Sequence, residues 1–373
     1  MTGTNKIPFF GVDRQYTNIR DEILKATDDV YRSGKVLDGM YTNLFEQFMR
    51  KHCERKYSIT VNSGTQALIF ALRAIDNRPN PKSKVLIPAV SFVATINSVL
   101  EAGFDPVFCD VDPLTGLIDL NKIPVDVNEL SAVVYVNLYG NIIDYDKLLS
   151  YKAIWDGYGI PVIEDAAQSF GAYYRGHPSG KLGDISILSF DPTKNLNNYG
   201  SGGMVLTDDP EYFEAVNDYK DNGKGNEHIV SGTNSKMSEA DCAQMIVKLR
   251  HFDAWQSRRK QIAEYYTDQL QGVVRMPTVD EHVEHAWHKY AIHVPNRLQF
   301  QHRMDIAGVE TKVHYRKPLH LENVSFIYAI ENNLGVINGA EEFCKTTVSL
   351  PIYPELTDAE VEHVVSSVIE SIG

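Results

Sequence analysis

The stretch Val162–Met204, VIEDAAQSFGAYYRGHPSGKLGDISILSFDPTKNLNNYGSGGM, holds two short apolar runs that end on chemically capable side chains. Pro161–Asp165 closes on a carboxylate, and Ile185–Phe190 is followed by Asp191-Pro-Thr-Lys194. Runs of this length, rich in β-branched residues and bounded by turn residues, read as buried strands. In open α/β sheets ligands collect outside the carboxyl ends of the strands, so Asp165, Gln168, Ser189 and Lys194 are placed to converge on one crevice.

A lysine in such a crevice with a buried acid nearby suits imine chemistry on pyridoxal phosphate. The acid would keep the pyridine nitrogen protonated, so that the ring withdraws electrons from the carbon being deprotonated. Taken singly, Asp165 also reads as a strand-end turn residue and Lys194 as a solvated loop lysine. The pair is the more specific signal.

Outward from this stretch, strand-like and helical patterns alternate. Ile19, Ile23, Ala26 and Val30 recur at helical spacing with Ser33-Gly34 as a stop, and a second helix is predicted over Asn43–His52. Strands at Tyr57–Val61, Val85–Ile87, Pro106–Cys109, Ala132–Val136 and Val162–Glu164 are interleaved with helices over Gln66–Ile75 and Ala94–Ala102. That βα alternation predicts a mostly parallel sheet covered on both faces, with Ile185–Phe190 and Gly203–Thr207 as two further strands. From Ser238 the pattern predicts one long helix reaching Leu270. Beyond Pro277 a smaller α+β unit follows, with strands near Tyr290–Val294 and Lys312–His314 and a last helix over Asp358–Ile372 capped by Thr357. The expected division is 1–250 for a large α/β domain and 251–373 for a small C-terminal α+β domain.

The chain has 373 residues, enough for a large sheet core, and a formal net charge of −13. With no basic run to offset it, that charge argues against a general nucleic-acid binder. No apolar stretch is long enough to span a bilayer and the N-terminus lacks a signal-like apolar core, so a cytoplasmic location is expected. Cys53, Cys109, Cys242 and Cys344 show no metal-ligand spacing, and reduced thiols are expected with no metal site.

Three further segments bear on a site. Asn62-Ser63-Gly64-Thr65 lies between a strand and an apolar helix, where free amides and the helix dipole favour phosphate, although Ser63 reads equally as an N-cap. Phe92, after a strand, is able to stack on a flat ring or to pack in a core. His314-Tyr315-Arg316-Lys317 and His320 form the densest cationic and aromatic cluster of the C-terminal part, suited to a diphosphate and sugar or to a solvated face.

Taken in order, NSGTQAL at Asn62–Leu68, EDAAQSFGA at Glu164–Ala172, SFDPTKN at Ser189–Asn195, GTNSKM at Gly232–Met237, VHYRKPLH at Val313–His320 and SLPIYPELT at Ser349–Thr357 are similar to segments of one family. The chain resembles the DegT/DnrJ/EryC1/StrS nucleotide-sugar aminotransferases, fold type I pyridoxal-phosphate enzymes. The resemblance runs from about Pro8 to the C-terminus. It implies an aspartate-aminotransferase-like α/β fold whose large domain has a mostly parallel seven-stranded sheet flanked by helices.

The resemblance also implies roles. Lys194 would hold the cofactor covalently and move the proton between cofactor and substrate carbons. Asp165 would pair with the pyridine nitrogen and Gln168 with the ring hydroxyl. Gly64, Thr65 and Ser189, with Ser63, would hold the phosphate, and Phe92 would stack on the ring. Asn234 would reach the cofactor phosphate of the neighbouring subunit, making a homodimer with shared sites. Lys236, His314, Tyr315, Arg316 and His320 would meet the substrate. The family often has an arginine at the position of Lys236 and an aspartate at that of Ser238, and lysine lacks arginine's planar fork. Lys194 argues against the branch that carries histidine there and acts as a dehydratase.

The implied reaction is a ping-pong transfer from L-glutamate, through the pyridoxamine phosphate form, to a keto group of a dTDP- or UDP-linked deoxysugar. The expected use is biosynthesis of amino sugars for surface polysaccharide. Tyr139-Gly140, NLNNYG and VHYRKPLH resemble members acting at C3 more than those acting at C4. The alternatives are a C4 transaminase and, from another class, a non-catalytic cofactor- or sugar-binding regulator on the same fold. Neither nucleic acid nor a membrane is an expected partner.

Overall fold

The computed structural model describes residues 6–75, 83–224, 228, 230–325, 328 and 337–372. Helix α1, Val12–Ser33, buries Ile19, Ile23, Ala26 and Val30 on one stripe and ends at Gly34, whose φ of 69° is the left-handed conformation glycine tolerates. Helix α2, Met40–His52, turns Phe45 and Met49 inward. It begins at Met40 rather than Asn43. The buried Glu239 carboxylate accepts from the amides of Gly39, Tyr41 and Thr42, and so holds the chain where a local cap is absent.

The central layer is built from β1 (Tyr57–Val61), α3 (Gly64–Ile75), β2 (Lys84–Pro88), α4 (Ala94–Glu101), β3 (Asp105–Cys109), β4 (Leu130–Val136), α5 (Tyr145–Gly157) and β5 (Val162–Asp165). A short ribbon of β6 (Tyr173–Tyr174) and β7 (His177–Pro178) precedes β8 (Ile185–Ser189), β9 (Gly203–Thr207) and α6 (Pro210–Lys220). The seven-stranded sheet has the order β1-β9-β8-β5-β4-β2-β3. Strands β2, β3, β4, β5 and β8 pair in parallel, while β9 runs antiparallel to both β8 and β1. The strands are almost wholly buried and mostly apolar, as a sheet covered on both faces requires.

Helices α5 and α6 are not among the sequence expectations. Only Leu148 and Trp155 of α5 are buried, so its apolar stripe is faint, although Asp144 caps it by accepting from the Lys147 amide at 3.0 Å. Helix α6 carries a readable start, Asp209 as N-cap before Pro210.

The long helix expected from Ser238 to Leu270 is two helices, α7 (Glu239–Leu249) and α8 (Phe252–Leu270). Arg250 and His251 keep near-helical backbone angles and carry no glycine or proline, so nothing local marks the break. Tertiary packing makes it. Ala240, Ala243 and Val247 of α7 pack on α1, whereas Ile262, Tyr266 and Leu270 of α8 join a separate cluster with C-terminal residues.

That second cluster is framed by β11 (Tyr290–His293), α9 (Arg297–Ile306), β12 (Thr347–Leu350) and α11 (Asp358–Ile372), whereas β10 (Val283–Glu284) and α10 (Asn338–Thr346) bury their apolar side chains against the large sheet's clusters. Strands β11 and β12 pair antiparallel, and β10 joins the β6–β7 ribbon. Thr357 caps α11 in a reciprocal pattern: the Glu360 amide donates to its Oγ1 at 3.2 Å and its own amide donates to Glu360 Oε2 at 2.9 Å. The expected strand at Lys312–His314 is not formed. Lys312 makes one isolated bridge to Ser349, and the His314 ring then binds the Ser349 hydroxyl at 2.9 Å, which ends the ladder. The four cysteines are free and buried. Among the described residues, no helix is long and apolar enough to cross a membrane and no group of metal-ligating side chains gathers.

Candidate active site

Strands β5 and β8 are adjacent and parallel, so Asp165 and Ser189 leave the sheet at the same edge. After β8, Asp191 accepts from the Thr193 amide at 3.0 Å and its hydroxyl at 2.7 Å, closing a turn that presents Lys194. The following segment is anchored on both sides, by Asn195 Nδ2 donating to Ala286 O at 2.7 Å and by Asn198 Nδ2 donating to Asp241 Oδ1 at 2.8 Å. Below this edge lies Glu164, fully buried. Its Oε1 accepts from Asn137 Nδ2, Ser179 Oγ and the Gly180 amide, and its Oε2 from the Leu182 amide and Ser186 Oγ. The carboxylate fastens the loop between β5 and β8 to the sheet, and with it the register of the site.

A cleft of about 410 Å³ opens over this edge, lined by Asp165, Gln168, Ser189, Lys194, Ser63, Gly64, Thr65, Phe92 and Tyr315. One wall is the start of α3. A Cβ on Gly64 would meet Ser189 Cβ at 2.7 Å, and one on Gly203 would meet the Ser63 carbonyl oxygen at 2.3 Å. Both glycines therefore permit backbones to close in around the helix start, where the first amides have no intrahelical partner. Ser63 acts as the N-cap, its Oγ accepting from the Gln66 amide at 3.1 Å. Gln168 is fixed at both ends: its Oε1 accepts from the Tyr139 amide at 3.1 Å, and its Nε2 donates to Tyr315 Oη at 3.2 Å. Phe92, 53% exposed, stands at the mouth with its ring 6.0 Å from that of Tyr315.

Burial sets the charges. Desolvation pushes the Asp165 carboxyl up to about 6 despite the opposing Ala167 amide and Lys194. Desolvation likewise lowers Lys194 below the ordinary lysine range, with Asp165 and Asp191 only partly offsetting it. A lysine biased toward its free amine is a competent nucleophile and base. The His314 ring is pushed down to about 3 by burial and by Lys289, Lys312 and Lys194, so it stands in the cleft as a neutral imidazole.

The profile of the DegT/DnrJ/EryC1/StrS aminotransferase family matches residues 17–369. The chain belongs to that family. A pleiotropic regulatory protein from Geobacillus stearothermophilus is 34% identical over 371 residues, covering 98% of each chain. The dTDP-3-amino-3,4,6-trideoxy-alpha-D-glucose transaminase of Streptomyces venezuelae is 32% identical, covering 98% of this chain and 96% of its own. A crystal structure of S. venezuelae DesV in complex with a ketimine intermediate matches with a TM-score of 0.92 at 31% identity, covering 99% of both chains. Further relatives are named for 3-amino or 3-oxo sugars carried on dTDP or UDP, and one for a 3-oxo sugar 6-phosphate with glutamate.

Pyridoxal phosphate is the cofactor of the DegT/DnrJ/EryC1/StrS aminotransferases, and this cleft fits it. The glycine-walled start of α3 with Ser189 suits a phosphate, Asp165 a protonated ring nitrogen, and Lys194 an aldehyde carbon. The remaining expected residues divide. His314 and Tyr315 enter the cleft with the cofactor set. Arg316 is exposed and does not line it. His320 is buried behind it, with its ring 6.3 Å from that of Phe108 and its Nε2 3.7 Å from Glu341 Oε1. The segment turns away after Tyr315 because the Leu319 amide binds Ala89 O at 2.7 Å, drawing it onto the sheet. Lys236 lies outside the cleft, held by Asp38 at 2.9 Å and Asp221 at 2.8 Å. Asn234 is exposed beside Asp221 and does not line the cleft of its own chain.

Sequence reading missed several lining residues: Phe10, Thr95, His288, Lys289 and Lys312. Phe10 comes from the segment before α1, and the last three come from the chain beyond α8. None sits in a motif that announces chemistry. The only local hint, two lysines beside predicted strands, is indistinguishable from solvated charge until the fold folds them inward.

Proposed function

We propose that this aminotransferase moves the amino group of L-glutamate to the 3-keto position of a nucleotide-linked deoxysugar by a ping-pong mechanism, working as a cytoplasmic homodimer. The carrying observation is the single cleft in which a lysine with a lowered pKa, a buried carboxylate and a glycine-walled helix start meet. When bound, pyridoxal phosphate supplies the amino carrier and the electron sink. Lys194 Nζ, its pKa lowered by burial, would take the proton from the donor α-carbon and deliver it one carbon away, reversing the order for the sugar. Asp165, as a carboxylate, would hold a proton on the ring nitrogen, and that partner would return its own pKa toward the ordinary range. Gln168, fixed by Tyr139 and Tyr315, would orient the ring oxygen, and Phe92 would stack over the ring.

The names of the relatives support amination at C3, and dTDP and UDP both occur among their carriers. A homodimer is supported by Met40, Leu44 and Phe48, an exposed apolar stripe at helical spacing on α2, and by Asn234 lying exposed away from its own cleft. The test is a panel of keto-sugar nucleotides with glutamate, followed by NMR of the product. Nitrogen at C4 would overturn the C3 assignment in favour of the C4 transaminase. Lys194→Ala should abolish turnover, and undiminished transamination would sink the mechanism. A non-catalytic regulator is the second reading, favoured by the name of the Geobacillus relative. Adding glutamate to the loaded protein discriminates: conversion of the bound cofactor to its amine form, read by absorbance, excludes it.

A further inference from the structure

Lys289 and Lys312 are the feature that the cofactor chemistry leaves unused. Both line the cleft, together with Phe10, His288 and His314. Lys289 precedes β11 and is 5% exposed, yet among the described residues its Nζ has neither an ion pair nor a hydrogen-bond partner. The ammonium lies 4.5 Å from the centroid of the Phe10 ring and 5.2 Å from that of Phe9. Lys312 faces the same two rings at 4.8 and 5.4 Å, and among the described residues it pairs with Glu310 alone, at 3.6 Å. Aromatic faces soften the cost of an unpaired ammonium but do not replace a counter-charge.

The other groups facing Lys289 do not supply one. Lys194, Arg259 and Lys312 repel it, Asp191 offsets them only in part, and the adjacent His288 and His314 are kept neutral by burial. The phosphate-suited wall at α3 is made by the large sheet's elements, whereas both lysines come from the C-terminal part. An anion entering the cleft from the substrate side would meet the amino groups of both lysines already in place.

We propose that Lys289 and Lys312 form a carboxylate subsite for a substrate, an inference that rests on the transaminase reading above. The carboxylate has two possible sources, the amino donor glutamate or a uronate group on the acceptor sugar, and the two half-reactions separate them. Lysines suit a site that one substrate must vacate for another, because they act as point charges without a fixed fork.

The test uses the loaded enzyme with Lys289→Met and Lys312→Met, which keep an apolar stem against Phe9 and Phe10. Glutarate binding is measured by calorimetry in two buffers of different ionisation enthalpy. Wild type should bind with net proton uptake, since burial biases Lys289 toward its neutral form and an anion restores the charge. Either substitution should weaken binding by about ten-fold or more, and Lys289→Met should remove the uptake. Weakened glutarate binding together with a slowed glutamate half-reaction assigns the donor. Unchanged glutarate binding with a slowed uronate-sugar half-reaction assigns the acceptor. Lysine-dependent glutarate binding without any amine transfer would sink the transaminase reading and leave the subsite standing. No change in binding or in either half-reaction overturns the subsite. Lys312→Met, at a half-buried position, keeps the test open should Lys289→Met fold poorly.

Discussion

Replacing Asp165 with asparagine should move stability and catalysis in opposite directions. In the cofactor-free protein this carboxyl is 6% exposed and burial pushes its pKa from 3.8 to about 6. A folded pKa above the unfolded one means that the unfolded chain ionises first as pH rises, so the native state is penalised. The penalty is absent below pH 3.8, grows between the two values, and is complete above about 6. At 1.36 kcal/mol per pKa unit it reaches about 3 kcal/mol at pH 8 and about half of that at pH 5. Asparagine removes it while its side-chain oxygen still accepts from the Ala167 amide, now 3.1 Å from Asp165 Oδ1. With about 2 cal/mol/K of unfolding entropy per residue, the apo variant should melt roughly 4 °C higher at pH 8 and about 2 °C higher at pH 5. The loaded variant should lose at least about a hundred-fold in kcat, because a neutral amide cannot hold a proton on the ring nitrogen. Calorimetric scans of the apo forms at the two pH values, with turnover of the loaded forms, read both effects. An apo variant no more stable than wild type at pH 8, or stabilised equally at both pH values, would refute burial as the governing influence on Asp165.

Gly64→Ala puts a Cβ 2.7 Å from Ser189 Cβ, and should cost about 1–3 kcal/mol and weaken pyridoxal phosphate roughly ten-fold, read by absorbance titration of the apo protein. Glu164→Gln turns an amide toward donors that need an acceptor, and a loss of about 2–4 kcal/mol in urea unfolding is expected; a change under 0.5 kcal/mol would count against the anchoring role. Lys248 is fully buried 3.4 Å from the Tyr199 ring centroid, and desolvation lowers it to about 7, with only Glu355 opposing. Its folded pKa lies below its unfolded one, so the unfolded chain holds the extra proton between about 7 and 10.5 and wild-type stability should rise with pH there, by up to ~5 kcal/mol. Lys248→Met should flatten that rise, and equal slopes in urea midpoints from pH 7 to 9.5 would reject the assignment.

Most of the sheet was legible because each strand is a short apolar run bounded by turn residues, and Gly203–Thr207 and Asp358–Ile372 agree with the structure to the residue. Helix α5 was not legible because only two of its side chains are buried. The break at Arg250–His251 escaped because both residues are helix-compatible, and only the divergent packing of α7 and α8 forces it.

Residue order alone determined the chemistry-bearing set: an acid closing one strand, a lysine on the turn after another, and a glycine at a helix start, each fixed by local grammar. Which cations face the cleft was decided only in three dimensions. Val313–His320 reads as one basic cluster, yet Arg316 points to solvent, His320 is drawn onto the sheet, and His314 is stripped of charge by burial. Lys289 and Lys312, which look like ordinary surface lysines in the sequence, take their place because the chain beside β11 and β12 lines the same cleft as the sheet edge. Charge, exposure and orientation depend on what surrounds a side chain, and those neighbours lie far away along the chain.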